Sequence, residues 1–372
     1  MIIGVPTEIK NHEYRVGMVP SSVRELTIKG HDVFVQSDAG VGIGFTDQDY
    51  IDAGAVISAT AAEIFAKADM IVKVKEPQAI ERAMLRHDQI LFTYLHLAPD
   101  LAQTEDLVKS GAVCIAYETV TDDRGGLPLL APMSEVAGRM SIQAGARALE
   151  KSLGGRGMLL GGVPGVEPAK VVIIGGGMVG TNAAQMAVGM GADVVVLDRS
   201  IDALRRLNVQ FGSAVKAIYS TADAIERHVL EADLVIGGVL VPGAAAPKLI
   251  TKDMVKRMKP GSAIVDVAID QGGCVETSHA TTHQDPTYIV DDVVHYCVAN
   301  MPGAVARTST FALNNATLPY IIKLANQGYK QALLNDKNFL NGLNVMHGKI
   351  VCKEVAEALS LTFTDPKSLL SL

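Results

Sequence analysis

The stretch VVIIGGGMVG at residues 171–180, followed by VVVLD at residues 194–198, decides the fold of this chain. An apolar strand runs into a turn that contains Gly175, Gly177 and Gly180, and the residues after it are typical of a helix. In such a turn the first glycine permits the tight bend, the second lets the backbone approach a pyrophosphate, and the third lets helix and strand pack closely. The N-terminus of the helix then directs unpaired N–H groups at phosphate oxygens. Three glycines at this spacing also occur in ordinary turns, so the flanking strands and the acid at their end carry the prediction of a dinucleotide site.

That acid is Asp198, which ends the second strand about twenty residues after the glycines, where dinucleotide-binding domains place an acidic residue. A carboxylate at this point accepts hydrogen bonds from both hydroxyls of the adenosine ribose, and it repels a 2′-phosphate. The sequence therefore predicts binding of NAD in preference to NADP.

The composition excludes several classes of partner. The chain has 372 residues, of which 48% are hydrophobic and 20% charged, with a net charge of −7. This acidic balance without a polybasic block argues against a nucleic-acid or membrane-surface partner, and no apolar run reaches the roughly 18 residues of a membrane span. Four scattered cysteines without a CxxC pair, and an N-terminus unlike a signal peptide, predict a cytoplasmic protein with reduced thiols.

The order of predicted elements indicates two domains. Short apolar strands alternate with helices over residues 1–128, but no glycine fingerprint follows any of these strands. A long helix is predicted over Ser134–Leu153 with Ser134 as its N-cap, a hairpin around Met158–Leu160, and a second long helix over Val305–Asn326. We therefore expect an α/β fold of two Rossmann-like doubly wound domains, joined by two long helices with a cleft between them. Residues 1–130 plus 306–372 form the expected substrate domain, and residues 131–305 the NAD-binding domain.

Candidate catalytic residues follow predicted strands, because open α/β sheets gather working side chains at the carboxyl ends of their strands. Lys75 is expected to close a strand over Met70–Lys75, where its ammonium can hydrogen-bond a carbonyl or carboxylate oxygen; a solvated strand end is the alternative. Lys73 is expected to pair locally. His96 lies in the loop after a strand at Gln89–Phe92, and an imidazole there suits acid–base work near neutral pH, although a structural histidine fits the same position.

Two further candidates follow other strands. Arg15, shortly after the first strand, has the planar fork that binds a carboxylate through two hydrogen bonds, and a surface arginine is the alternative. Asp270 follows the strand that contains Asp266, for which a structural hydrogen bond is expected. His279 and His283 have the spacing of two zinc ligands, but a zinc site needs a helix and a third ligand, and this threonine-rich segment favours a loop.

Motifs spread over nearly the whole chain resemble those of the alanine dehydrogenases. They are GVPTEIK at residues 4–10 with EYRV at 13–16, VKEP at 74–77, FTYLHLA at 92–98, LAPMSEVAG at 130–138 and NMPGAV at 300–305. The resemblance implies NAD-dependent, reversible oxidative deamination of L-alanine to pyruvate and ammonium, and it implies a homohexamer.

The same resemblance assigns roles to individual residues. Arg15 and Lys75 would bind the carboxylate and carbonyl oxygen of the substrate, His96 would be the acid–base group, and Asp270 would interact with water or ammonia. Tyr94 and Met133 are expected to wall a pocket for the methyl group. The expected cofactor contacts are Ser134, Gly175, Gly177, Met178, Val179, Gly180, Asp198, Ser220, Val239, Asn300 and Met301.

Two alternatives compete with this assignment. The NAD-binding subunit of a nicotinamide nucleotide transhydrogenase shares the two-domain plan but exchanges hydride between cofactors and needs no amino-acid site. A non-catalytic NAD-binding protein is expected to have lost at least one of Arg15, Lys75, His96 and Asp270. All four are present, which favours the dehydrogenase.

Overall fold

The computed structural model describes residues 1–239 and 246–371, which divide into two units, each built on one mixed sheet. The first unit comprises Met1–Met133 and Val305–Leu372, and the second comprises Ser134–Ala304. Two α/β domains of Rossmann type were expected, and this expectation is confirmed.

The first unit has an eight-stranded sheet in the order β15-β14-β6-β5-β4-β1-β2-β3. Its strands are β1 (Ile2–Val5), β2 (Asp32–Gln36), β3 (Val56–Ser58), β4 (Met70–Val72), β5 (Ile90–Thr93), β6 (Val113–Ala116), β14 (Leu343–Met346) and β15 (Lys349–Ile350). Strands β1 to β6 are parallel in the order 3-2-1-4-5-6, while β14 runs antiparallel to β6. The central strands β4, β5 and β6 are buried along their whole length, as apolar parallel strands covered by helices must be.

The second unit repeats this topology in a seven-stranded sheet of order β12-β13-β11-β10-β7-β8-β9. Its strands are β7 (Lys170–Ile174), β8 (Asp193–Asp198), β9 (Val215–Tyr219), β10 (Leu234–Gly237), β11 (Ala263–Asp266), β12 (Thr287–Val290) and β13 (Val293–Tyr296). All neighbours are parallel except β12, which forms an antiparallel pair with β13 at the edge.

Helices connect the strands in both units. They are α1 (Pro20–Thr27), α2 (Asp47–Asp52), α3 (Ala61–Lys67), α4 (Ala79–Arg82), α5 (Leu101–Ser110), α6 (Ala131–Ala148), α7 (Met178–Gly189), α8 (Ile201–Phe211), α9 (Ala222–Glu231), α10 (Lys252–Arg257), α11 (Ala306–Leu334), α12 (Lys337–Leu340), α13 (Lys353–Leu359) and α14 (Pro366–Leu370). Among the helices of the described residues, none combines the length and the apolar character that crossing a membrane requires.

Several predicted boundaries are wrong. Helix α6 begins at Ala131, so Ser134 lies inside its first turns and is not its N-cap; Pro132 lacks an N–H and is therefore well tolerated at a helix start. In the described segment around Met158–Leu160 there is no hairpin of strands, and only an isolated bridge joins Val163 and Val166. Helix α11 continues eight residues past Asn326, with a break at Gly328, whose φ of 72° is not helical.

Strand β4 ends at Val72, three residues before Lys75. Its neighbour β1 ends at Val5, and beyond it the carboxylate of Glu8 accepts a hydrogen bond from Val74 N at 2.6 Å. A side chain thus replaces the neighbouring strand as acceptor, and Lys75 lies in the loop that follows.

The glycine turn depends on one close approach inside the second unit. A β-carbon added to Gly180 would lie 1.7 Å from the carbonyl oxygen of Gly175, far inside van der Waals contact, so only glycine lets α7 pack this closely on the end of β7. Gly189, the last residue of the same helix, is exposed and has open space where a β-carbon would be.

This difference makes Gly180→Ala and Gly189→Ala a matched pair. We expect Gly180→Ala to lower the free energy of unfolding by about 1–3 kcal/mol or more, because overpacking usually has a cost of this size. Gly189→Ala should be neutral or slightly stabilising, because alanine has the higher helix propensity. Urea denaturation followed by circular dichroism measures both, and equal stabilities of the two variants would contradict the role of this contact.

Candidate functional site

The glycine-rich turn forms an open cradle at the carboxyl end of β7. Gly175 has a φ of 102° and lies against the carbonyl oxygen of Gly238, 2.7 Å from where its β-carbon would be. At Gly177, by contrast, the β-carbon position has nothing within 4 Å. Gly177 is also the N-cap of the twelve-residue helix α7 and provides no side-chain cap. The first N–H groups of the helix can therefore interact with an anion brought up to the turn.

Asp198 is fixed beside this cradle at the end of β8. One carboxylate oxygen accepts a hydrogen bond from Gly176 N at 2.6 Å, and the other accepts one from Ser200 N at 2.6 Å. The carboxylate is half-buried and retains further lone pairs, so it can also accept hydrogen bonds from a diol.

A cleft of about 730 Å³ lies over the turn within the second unit. The sequence-predicted residues that line it are Ser134, Gly175, Gly177, Met178, Val179, Asp198, Ser220 and Val239. Its described lining also includes the apolar Ile225, Leu249 and Met254, which the sequence reasoning missed. An open glycine cradle, a fixed carboxylate and apolar walls fit a dinucleotide.

Three predicted cofactor contacts are not among the described residues that line this cleft. Gly180 packs against Gly175 and acts through the shape of the turn. Met301 is buried at the start of a 3₁₀ helix, and the carbonyl oxygen of Asn300 lies 3.1 Å from Nε2 of His283. For all eleven residues, including those that line the cleft, a cofactor contact stays a prediction.

In the first unit, Arg15 is buried in an ion pair with a nearby glutamate. Its Nε and Nη2 donate to the two carboxylate oxygens of Glu13 at 2.6 and 2.5 Å, and Nη1 lies 3.1 Å from the sulfur of Met133. The surface alternative for Arg15 is therefore wrong. Burial alone would lower the pKa of Arg15, but the hydrogen bonds and charge of Glu13 raise it above its ordinary value, so the guanidinium stays charged and is held in one orientation.

Lys73 pairs both with Glu81, which is close in sequence, and with Glu8, which is 65 residues away, so the expected local pairing is only part of its environment. Its ammonium is fully buried, 3.1 Å from an oxygen of Glu8 and 2.7 Å from an oxygen of Glu81. Burial alone would lower the pKa of Lys73, but the two carboxylates raise it, so the group stays charged. The other oxygen of Glu8 accepts from the N–H groups of Val74 at 2.6 Å and Lys75 at 3.4 Å. Lys73 and Glu8 thus fix the backbone that carries Lys75.

His96 follows β5 in a strained conformation that a glutamate holds. Its φ is 50°, in the left-handed region that non-glycine residues seldom occupy. Glu118, which follows the adjacent strand β6, accepts hydrogen bonds from the N–H groups of His96 at 2.6 Å and Leu95 at 3.2 Å. The imidazole is exposed and stacks on the ring of Tyr94, with 5.7 Å between centroids and 5° between planes.

Tyr94 and Lys75 complete this group of side chains. The buried hydroxyl of Tyr94 donates to the carbonyl oxygen of Leu129 at 2.5 Å, and burial raises the pKa of Tyr94 well above its ordinary value. This residue therefore forms a wall and is a poor proton donor. The ammonium of Lys75 lies 3.9 Å from a carboxylate oxygen of Glu76, and the hydroxyl of Thr93 donates to the carbonyl oxygen of Lys75 at 2.9 Å.

The remaining candidates lie in the second unit. Asp270 is exposed in a 3₁₀ helix (Val267–Gln271) directly after β11. Asp266 has the expected structural role, since its oxygens accept from backbone N–H groups after the turn. His279 stacks on Tyr288, and within the described residues neither His279 nor His283 belongs to a group of three side chains able to hold a metal.

In the first unit, Glu8, Glu13 and Glu118 are residues that the sequence reasoning missed. Glu8 and Glu13 lie within the quoted motifs, and Glu118 follows a predicted strand just as His96 does. A search for acids at the carboxyl ends of neighbouring strands is the signal that could have found Glu118.

Two doubly wound domains, one of them with a glycine-rich cleft of dinucleotide type, place this chain in the class of Rossmann-fold nucleotide-binding proteins. Comparison with known families narrows this class. The model "Alanine dehydrogenase/PNT, N-terminal domain" matches residues 4–137, and "Alanine dehydrogenase/PNT, C-terminal domain" matches residues 141–353. The chain belongs to the alanine dehydrogenase/PNT family, whose members use a nicotinamide nucleotide.

Curated relatives match over the full length of both chains. The chain is 61% identical over 370 residues to the alanine dehydrogenase of Halomonas elongata, and 53% identical over 371 residues to that of Mycolicibacterium smegmatis. A solved L-alanine dehydrogenase is 56% identical, with a TM-score of 0.94 over 97% of this chain and 99% of that one. A transhydrogenase from Sinorhizobium meliloti is 25% identical, with a TM-score of 0.83 over 94% of this chain and 100% of that one.

The buried position of Lys73 leads to a stability prediction. Lys73→Met removes the charge shared by Glu8 and Glu81 and leaves two carboxylates buried, so we expect a loss of about 3–5 kcal/mol in the free energy of unfolding. Lys75→Met is the matched control, because among residues 1–239 and 246–371 the one ion pair of its ammonium is the 3.9 Å contact with Glu76, and its loss should stay below about 1 kcal/mol. Urea denaturation compares them, and a Lys73 variant as stable as the control would show that the two carboxylates are not left as uncompensated buried charges.

Proposed function

We propose that this chain catalyses the reversible oxidative deamination of L-alanine to pyruvate and ammonium, with NAD as the hydride acceptor. The observation that carries the proposal is the full-length match to curated alanine dehydrogenases at 53–61% identity, with Arg15, Lys75, His96 and Asp270 all present. The proposal includes the cytoplasmic location that the scattered cysteines predict and the homohexamer that the resemblance implies.

The second unit would hold the dinucleotide. The N–H groups at the start of α7 would bind the pyrophosphate, the carboxylate of Asp198 would accept hydrogen bonds from the ribose, and Ser220 and Val239 would line the same cleft. A dinucleotide held there would supply the acceptor for the hydride that leaves the α-carbon of alanine. Asn300 and Met301 are proposed to contact this cofactor as well.

The first unit would hold the amino acid. Arg15, already held rigid by Glu13, and Lys75, on a backbone fixed by Glu8, would bind the substrate carboxylate and the oxygen on which charge develops. Tyr94 and Met133 would wall the space for the methyl group. A hydrophobic pocket discriminates by only about 1–3 kcal/mol per methylene, so turnover of other small 2-oxo acids is expected.

His96 would act first as a general base and then as a general acid. After the hydride leaves, the substrate is an iminium, and the unprotonated imidazole takes a proton from the water that attacks its carbon, which gives a carbinolamine. The imidazolium then returns that proton to the amine nitrogen, and the carbon–nitrogen bond breaks as the carbinol hydroxyl loses its own proton to the imidazole. The departing ammonia takes up this second proton, so pyruvate and ammonium leave. Asp270 would orient the water or the departing ammonia. Glu118 keeps His96 in place throughout, because it binds the backbone N–H and leaves the exposed ring in reach of substrate.

The transhydrogenase alternative makes a different prediction about substrate. A transhydrogenase subunit exchanges hydride between two nicotinamide cofactors and does not require an amino acid. Dependence of the reaction on L-alanine therefore separates the two functions.

The first test is a spectrophotometric assay at 340 nm. We expect NAD reduction that depends on L-alanine, and NADH oxidation that depends on pyruvate and ammonium together. His96→Ala should lower turnover by about 10²–10⁴ while NAD affinity is kept, the range for loss of an acid–base group. His279→Ala, an exposed histidine of the second unit, is the control and should keep full turnover. Intact NAD binding without any alanine-dependent change in absorbance would reject the dehydrogenase.

The second test concerns the choice of cofactor. Asp198→Ala removes two hydrogen bonds to the ribose, so we expect the Kd for NAD to rise at least about tenfold and the preference over NADP to shrink. Asp202→Ala removes an exposed carboxylate four residues further on that pairs with Arg205, and it should change neither affinity. Titration of both variants with NAD and NADP gives the result. Unchanged affinities in the Asp198 variant would remove this residue from ribose binding.

A further inference from the structure

A cluster of imidazole and carboxylate groups lies at the amino-terminal end of strand β5, whereas His96 follows the carboxyl-terminal end of the same strand. His87 and Asp88 immediately precede β5, and His347 lies in the turn between β14 and β15. Strand β14 pairs antiparallel with β6, so its end meets the starts of the parallel strands β5 and β6. The fold thus brings together side chains that are 259 residues apart in sequence.

The donor atoms of this cluster are close together. Nε2 of His347 lies 2.5 Å from one oxygen of Asp88, and Nδ1 of His87 lies 3.2 Å from the other. The two imidazole rings are 4.9 Å apart between centroids, with 12° between their planes. One ligand atom from each of the three residues can be chosen so that all lie within 4.8 Å of one another, and within the described residues this is the one such group of three.

The surroundings leave the cluster open to an ion. The side chains of His87 and Asp88 are 68% and 57% exposed, and that of His347 is 25% exposed. The hydroxyl of Tyr329, just after the break in α11, lies 3.3 Å from Asp88 and 3.4 Å from His347. The nearby guanidinium of Arg86 is engaged by the carbonyl oxygens of Phe65 and Ala68.

We propose that His87, Asp88 and His347 form a binding site for a divalent cation of the zinc type. Two imidazoles and a carboxylate are ligands that Zn²⁺ prefers, and water can complete a tetrahedron at this exposed position. Ligand atoms about 2.0–2.2 Å from zinc lie roughly 3.4 Å from each other. The Asp88–His347 hydrogen bond therefore opens by about 1 Å and His87 moves inward, which exposed side chains can do by small rotations.

The site would link elements of the first unit that are distant in sequence. A bound ion ties the start of β5 to the β14–β15 turn, and through Tyr329 it reaches the last turns of α11. Strand β5 has four residues, so its length of about 13 Å separates this edge from the loop of His96. The ion is therefore expected to raise the stability of the first unit and to leave turnover unchanged.

The test is zinc binding to the full-length protein after treatment with a chelator. We expect calorimetric titration with ZnSO₄ to give one site per chain, and Co²⁺ at the same site to show the visible bands of a four-coordinate ion. His87→Ala/His347→Ala and, separately, Asp88→Asn should weaken the affinity at least tenfold. His279→Ala/His283→Ala, the pair with zinc-like spacing in the second unit, is the control and should bind as the unchanged protein does.

A second measurement guards against variants that fail to fold. Circular dichroism should show native helix content in all variants, and saturating zinc should raise the melting temperature of the unchanged protein and of the control but not of Asp88→Asn. The proposal is overturned if the unchanged protein binds no zinc, if the His279/His283 variant is the one that loses it, or if Asp88→Asn keeps both the affinity and the shift in melting temperature.

Discussion

The ammonium of Lys73 lies in the buried interior of the first unit between Glu8 and Glu81, and the backbone that carries Lys75 is organised around this cluster. Taking three charges out of water is costly, and their attraction offsets that cost only in good geometry with further hydrogen bonds. Glu8 meets both conditions, because one of its oxygens pairs with Lys73 and the other accepts hydrogen bonds from the N–H groups of Val74 and Lys75. A cluster of this kind fixes one conformation more than it adds stability. We infer that its value lies in placing Lys75.

The same principle applies to His96. Its left-handed backbone costs roughly 1–3 kcal/mol, and such a conformation persists only where its surroundings over-determine it. Two N–H bonds to Glu118 and the stacked ring of Tyr94 supply those constraints. The first unit thus uses carboxylates chiefly to orient other groups: Glu8 for Lys75, Glu13 for Arg15 and Glu118 for His96. Binding energy then need not be spent on ordering these side chains when substrate arrives.

Features that depend on residues close together in the sequence could be predicted, whereas contacts between residues far apart in the sequence could not. The glycine turn and Asp198 are encoded within about thirty residues, where strand periodicity, glycine spacing and the acid at the strand end all agree. The alternation of strands and helices then restricts the topology, and in both sheets the six parallel strands follow the 3-2-1-4-5-6 order. The partners of Lys73 and His96 could not be predicted in this way, because Glu8 and Glu118 approach them only after distant strands have paired. The start of α6 was misplaced for a local reason, since Ser134 looks like a cap while Pro132 already begins the helix.

Both units have the same order of parallel strands, but different residues follow these strands. This difference matches the proposal that one unit binds the cofactor and the other the substrate. In the second unit, the turn after β7 has no side chains at its glycines and leaves space for backbone N–H groups to bind phosphate. In the first unit the strands β4 and β5 are followed by charged and aromatic side chains, among them Lys75, Tyr94 and His96, and such side chains suit a small charged substrate. The opposite ends of these strands do not need to bind substrate. In the first unit, His87 and Asp88 before β5 lie there beside His347 after β14. The proposed chemistry at one end of these strands and the proposed metal site at the other can then change independently, because a strand of four residues separates them and each set of loops contacts its own surroundings.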